Sequence, residues 1–353
     1  MNPTKMLHNI GQSIWLDNIT RELLNSGTLQ RYIDELSVTG LTSNPTIFDH
    51  AIKGSADYDS DIVGKNAASS EDLFFDLALE DIARAADLFR DIHDRTNGVD
   101  GWVSLEVSPL LANDAAKTLA AATDLHRRAN KPNLFIKIPG TAAGLPAIEE
   151  AIFAGIPVNV TLLFSCEQYV AAAEAYLRGI ERRVAAGLNP AVGSVASLFI
   201  SRWDVAVAGK VPAELTNRLG VAVAGQAYAA YQEILSSPRF ERLANEGACT
   251  QRLLWASTGT KDPKASDILY VKALAAPFTV NTMPENTLKA FADHGQVDQP
   301  LAHDGGDYKT VFSGFRKAGV DIDALAARLQ QEGADSFVAS WRDLIGCIDA
   351  KRT

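Results

Sequence analysis

Asn133-Leu134-Phe135-Ile136-Lys137-Ile138-Pro139, a helical run closed at Gly155, then Pro157-Val158-Asn159-Val160-Thr161-Leu162-Leu163-Phe164: in this stretch two apolar β-like segments flank one helix. A short apolar run, a helix and a second apolar run read as one strand–helix–strand unit of a parallel sheet. The pattern extends in both directions. Further strand candidates lie at residues 13–19, 38–44, 101–107, 194–201, 252–257 and 279–283, giving eight in all. Helical spacing separates them. Phe74, Ala78, Ile82, Ala85, Phe89 and Ile92 recur at three and four. Ser165 and Gln168 form a capping-box pair opening a helix that ends at Gly187, and Asn113 or Asp114 caps the one carrying Leu119 and Leu125.

Eight alternations predict an α/β fold with a parallel sheet, closed or open. A dinucleotide-binding open sheet carries a glycine-rich turn after its first strand; Leu16-Asp17-Asn18-Ile19-Thr20 stands there instead. The expected architecture is therefore a (β/α)8 barrel in one domain spanning 1–353. Its core runs over 13–296, and a helical extension over 297–353 presents Phe337, Trp341, Leu344 and Ile345 as its apolar face. Residues 54–70 are small and polar and read as a surface excursion.

Composition narrows the function. A hydrophobic share of 47% suffices for a large core, and a net charge of −10 disfavours a nucleic-acid surface. No apolar run is long enough for a membrane span, and Met1–Gln12 has no signal-peptide core. Three scattered cysteines suit a reducing, cytoplasmic setting better than a disulfide framework. The six histidines form no HxH or HExxH pair, so no metal site is expected, and there is no GxSxG elbow. No residue pattern specifies an oligomeric state.

Polar residues fall near the carboxyl end of each strand candidate: Asp17, Asn44, Glu106, Lys137, Asn159 with Thr161, Ser197, Ser257 and Asn281. Parallel barrel strands are otherwise apolar, and barrel active sites form at these ends. Lys137 faces away from Ile136 and Ile138 in a buried strand, where desolvation frees an amine for attack on a ketone. Asp17 and Glu106 are candidates for the accompanying proton transfers; Asp17 reads equally as an N-cap for a helix through Arg21–Leu24. Asn159 and Thr161, two apart, share a face. Arg202 after the sixth strand and Lys261 after the seventh are candidate phosphate cations, or else solvated loop charges.

Together these segments resemble the transaldolase family. The similarity rests on Ser13-Ile14-Trp15-Leu16-Asp17, Gly40-Leu41-Thr42-Ser43-Asn44-Pro45, Val103-Ser104-Leu105-Glu106-Val107, Phe135–Pro139 and Val158–Ser165. Trp255–Lys261 and Val280-Asn281-Thr282-Met283-Pro284 resemble its longer subtype. The resemblance implies a pentose-phosphate enzyme acting on sugar phosphates through a Schiff base, without metal or organic cofactor. It implies Lys137 as the imine lysine, Asp17 as acid/base at the hydroxyl next to the cleaved bond, and Glu106 with Thr161 as holders of the catalytic water. It implies Asn44 and Asn159 as binders of the dihydroxyacetone part, and Ser197, Phe199, Arg202 and Ser257 at the substrate. One departure concerns phosphate: shorter members carry Ala-Ser-Phe-Arg after the seventh strand, whereas Ala256-Ser257 here leads to Thr258-Gly259-Thr260-Lys261. The resemblance also implies that residues 336–345 cover the barrel mouth. Fructose-6-phosphate aldolases are the neighbouring possibility; in them a glutamine resembles Glu106 and a tyrosine resembles Phe199. A non-catalytic sugar-phosphate binder is the other, and the intact Asp17, Glu106 and Lys137 disfavour it.

Overall fold

The computed structural model describes residues 2–352. Eight parallel strands close into a barrel: β1 (Ser13–Asp17), β2 (Val38–Thr42), β3 (Val103–Glu106), β4 (Leu134–Pro139), β5 (Val158–Leu163), β6 (Ser194–Phe199), β7 (Gln251–Ala256) and β8 (Val280–Met283). Each strand pairs with the next, and β8 returns to β1. All eight expected strands are present. The first two stop two residues early because a polar side chain downstream starts a helix. Thr20 accepts from Leu23 N–H and caps Arg21–Asn25; Asn44 accepts from Ile47 N–H and caps Pro45–Gly54. Asp17 is thus free of the capping role that its position allowed.

Helix boundaries follow the local signals. Asp114, not Asn113, caps Ala115–Ala129, the Ser165–Gln168 capping box opens Cys166–Ala185, and Gly155 (φ +84°) closes Leu145–Ala154. Strand register sorts side chains into layers, since parallel partners share a face. Trp15 pairs with Gly40, and its indole fills the space where a Cβ on Gly40 would stand, 2.6 Å from Nε1. Phe135 stacks on Trp102 at 4.0 Å and lies 6.1 Å from Trp15, forming the barrel's apolar middle.

Two expectations outside the barrel need correction. Residues 54–70 are not a loose excursion: they hold the helix Asp59–Gly64, with Tyr58 and Ile62 buried. Tyr58 donates to Asp81 at 2.8 Å, and Lys351, from the far end of the chain, reaches Asp59 at 2.6 Å. These residues become core only because distant helices close over them. The last helix, Ile322–Arg352, buries Phe337, Trp341, Leu344 and Ile348; Ile345 is only half-buried. Steps of four, three and four keep the stripe on one face, and Ile345 falls beside it. Trp341 meets Phe74 edge-on at 5.0 Å, and the helix lies along Pro45–Gly54 across the barrel mouth. Among the described residues no helix is long and apolar enough to cross a membrane.

Candidate active site

A cavity of about 280 Å³ opens at the carboxyl ends of the strands. It is lined by Asp17, Asn44, Lys137, Thr161, Ser197, Phe199, Arg202, Ser257 and Lys261, all anticipated from the sequence. Glu106 and Asn159 lie outside its lining. Asn159 is fully enclosed: its Nδ2 donates to Ser104 Oγ at 3.1 Å, and its Oδ1 accepts from Ser197 at 2.7 Å. It therefore holds the Ser197 hydroxyl from below.

Lys137 and Glu106 are register partners on β4 and β3, so their side chains project to the same interior layer. Lys137 Nζ stands 3.3 Å from Glu106 Oε2 and donates to Ser43 O at 3.0 Å. Both side chains are almost wholly buried. Apart from the Lys137 ammonium, no protein donor reaches either Glu106 oxygen, and the buried Thr161 hydroxyl has no protein partner. Burial pushes the Glu106 carboxyl above its ordinary value; Lys137 opposes the shift and Asp17 adds to it. Asp17 is raised too, chiefly by burial, against the pull of Lys137, a hydrogen bond from Thr42 and the charge of Lys261. One amine thus serves two carboxyls that are both short of solvation.

Several contributors escaped the sequence reading. Thr42 donates to Asp17 Oδ1 at 2.8 Å, its hydroxyl lies 2.6 Å from that of Thr282, and both threonines line the cavity. Strict alternation was the available signal: Thr42 shares a face with Gly40, and Thr282 with Val280. Asn281, taken from the sequence as part of the polar ring, points the other way and accepts from the Thr258 hydroxyl at 2.9 Å. A slip of one residue exchanges the two faces of a strand. His50 and Phe337, from the helices over the mouth, complete the rim.

The rim is cationic on one side. Arg202 opens the helix Ser201–Val207 directly after β6, and exposed Lys261 stands in the loop after β7. Ser257, at φ +56°, shares a hydrogen bond with Ser201 at 2.9 Å, joining the two strand ends that carry these cations. Phe199 packs against Phe164 at 5.2 Å and lines the cavity. Among the described residues no group of three or more His, Cys, Asp or Glu is placed to hold a metal ion.

Fold and cavity define a (β/α)8-barrel protein with an amine-and-carboxylate site at the carboxyl ends of its strands. The family model described as Transaldolase/Fructose-6-phosphate aldolase matches residues 14–348. The chain is 46% identical to the transaldolase of Saccharopolyspora erythraea, with 97% of this chain and 95% of that one covered. It is 43% identical to the transaldolase of an Arthrobacter species (98% and 96% covered) and 39% identical to transaldolase 2 of Nostoc punctiforme (97% and 95%). The chain belongs to the transaldolase/fructose-6-phosphate aldolase family of enzymes.

Proposed function

We propose that the chain is a transaldolase that moves dihydroxyacetone reversibly from sedoheptulose 7-phosphate to glyceraldehyde 3-phosphate, giving erythrose 4-phosphate and fructose 6-phosphate. The observation that carries this reading is the placement of Lys137: a buried amine at the cavity floor, 3.3 Å from Glu106 and electrostatically coupled to Asp17.

The amine of Lys137, once neutral, adds to the donor ketone, and loss of water leaves a protonated imine. Glu106 and Thr161 have unfilled hydrogen-bonding capacity to hold that water, and to return it at hydrolysis. Asp17 takes the proton from the hydroxyl beside the bond that breaks. The electrons of that bond flow into the imine, which becomes an enamine, and the aldehyde product leaves. The enamine then attacks the acceptor aldehyde, and Asp17 returns the proton. Asn44 and Ser197 hold the three-carbon fragment, with Asn159 fixing Ser197. Arg202, Ser257 and Lys261 receive the phosphate, where a guanidinium and an ammonium supply charge-assisted hydrogen bonds. The chemistry needs no metal, because the protonated imine is the electron sink.

A coupled assay of transfer from fructose 6-phosphate to erythrose 4-phosphate tests the reading, together with borohydride reduction and peptide mapping. Transfer with an adduct on Lys137 is the expected result. An adduct on another lysine, or release of free dihydroxyacetone in place of transfer, overturns it.

A further inference from the structure

The helix Ile322–Arg352 lays a buried stripe over the barrel through Leu329, Gly333, Phe337 and Trp341. Beside the stripe, Gln330 presents an amide to the strand ends. Its Nε2 donates to Leu162 O at 2.9 Å and to Gly140 O at 3.2 Å. Both acceptors are carbonyls, so only the amide's NH2 group fits between them.

The two acceptors mark where β4 and β5 become irregular. Leu162 has φ +60°, a backbone state that side chains with a Cβ rarely adopt, and the β5–β6 register slips between Val160 and Leu163. This is a bulge, a device that re-aims side chains near active sites. Gly140 follows β4, and its N–H donates to Thr161 O at 2.7 Å. A Cβ at Gly140 would stand 2.4 Å from Leu163 Cδ2 and 2.9 Å from Val160 Cγ1, so a larger residue there would displace both buried side chains. The Leu162 side chain is turned against the terminal helix, 3.1 Å from where a Cβ on Gly333 would be. Thr161 lies between these fixed points; it lines the cavity that holds Lys137, and its buried hydroxyl has no protein partner.

We infer that Gln330 is a positioning residue: by bridging the Leu162 and Gly140 carbonyls it holds the bulge that aims the Thr161 hydroxyl, and so sets the rate at which water is lost and regained at the Lys137 imine. The inference rests on the imine reading of the site. A residue needed only to cover the mouth would be apolar, as Leu329 and Phe337 are. An amide that satisfies the Leu162 carbonyl of β5 and the Gly140 carbonyl just after β4 holds the lid and the β5 bulge in one register.

The test is a cycle of Gln330→Met, Thr161→Ala and the double variant in the full chain, assayed with fructose 6-phosphate and erythrose 4-phosphate. Gln330→Met should lower kcat about tenfold with KM changed less than about twofold, the pattern of a misplaced group that acts after binding. Borohydride trapping at Lys137 should slow in parallel. The double variant should be no slower than Thr161→Ala alone, because Gln330 acts through Thr161. Losses that multiply, or full kcat in Gln330→Met, overturn the inference. Should Gln330→Met not fold, Gln330→Ala, at a half-buried helix position, removes the donor with no new polar group and is held to the same outcomes. Wild type that traps no adduct at Lys137 overturns the imine reading, and this inference with it. Normal wild-type trapping beside an unimpaired Gln330→Met removes Gln330 alone.

Discussion

The two ends of the barrel bury ionic groups in opposite ways. At the amino end, Arg252 donates to Val99 O at 3.0 Å, Ser13 Oγ at 2.7 Å and Thr279 O at 2.8 Å. Asp100 accepts from the Ser13 hydroxyl, from Trp15 Nε1 at 2.8 Å and from Gly101 N–H at 3.1 Å. Among the groups nearby, the neutral amide oxygens of Gln12, Asn133 and Gln251 lack partners. At the carboxyl end, Glu106 and Thr161 have buried oxygens that no protein donor satisfies, and Lys137 shares one carbonyl and one carboxylate. A closed set of hydrogen bonds makes a buried charge a brace; an open set leaves it under-solvated and available to a substrate. The amino end is therefore structural, and the carboxyl end is where reaction is expected.

The sharpest way to break this contrast is a pair of substitutions. Lys137→Met should cost turnover on the order of 10⁴-fold or more while the chain still folds, because Asp17 and Glu106, whose carboxyls burial already raises, can take up protons once the amine is gone. Arg252→Met should do the reverse: a loss of about 3–5 kcal/mol in urea unfolding, with borohydride trapping per folded molecule unchanged. If Lys137→Met unfolds the chain, or Arg252→Met removes trapping from folded molecules, the division between the ends is wrong.

Glu106→Gln comes next. It should lower kcat by about 10²- to 10³-fold, as for a lost general acid–base group. It should also change the pH dependence of stability. The folded carboxyl holds its proton more tightly than the unfolded one. Its favourable contribution is thus fully present below the unfolded value near 4.5 and is lost as pH rises through the folded value. Denaturant titrations from pH 4 upward should show wild type losing stability relative to Glu106→Gln. A difference that is flat in pH would mean the carboxyl is solvated as in the unfolded chain.

Smaller effects belong to the rim. Arg202→Ala should raise KM for phosphorylated sugars about 10- to 100-fold, the loss of one charge-assisted contact, and leave slow turnover of unphosphorylated ketoses nearly unchanged. Equal damage to both substrate classes would make Arg202 a brace like Arg252. Phe199→Tyr should give the smallest change, a shift of about 3- to 10-fold in the partition from transfer toward release of free dihydroxyacetone when no acceptor is present. A hydroxyl at the cavity edge can protonate the enamine or place water there, which a phenyl edge cannot. A partition that stays put while both rates fall would show that Phe199 serves only its packing against Phe164.

Much of this is legible in the sequence. The eight strands were readable because each is a short apolar run between capping signals, and Lys137 because an ammonium among Phe135, Ile136 and Ile138 needs explaining. Thr42 and Thr282 carry no such signal, since threonine in a strand is ordinary on propensity alone. Asn281 stands one residue away from the inward position, which Thr282 holds. Tyr58 and Ile62 looked like part of a polar loop because the helices that bury them come from residues 70–95 and 322–352.

The sequence by itself determined the barrel's order of elements, the capping box at Ser165 and Gln168, the glycine stop at Gly155, and which residues carry an amine, a carboxyl or a guanidinium at a strand end. These follow from local periodicity and from the polar groups that stop each segment. Only the tertiary structure decided that Glu106 stands 3.3 Å from Lys137, that Thr42 rather than a cap role engages Asp17, and that Gln330 bridges β4 to the bulge in β5. Such contacts join residues 25 to 190 positions apart. Their strength depends on how completely water is excluded, which no window of sequence specifies. The raised values of Asp17 and Glu106 are products of that enclosure, and a carboxyl acquires them only when the barrel closes around it.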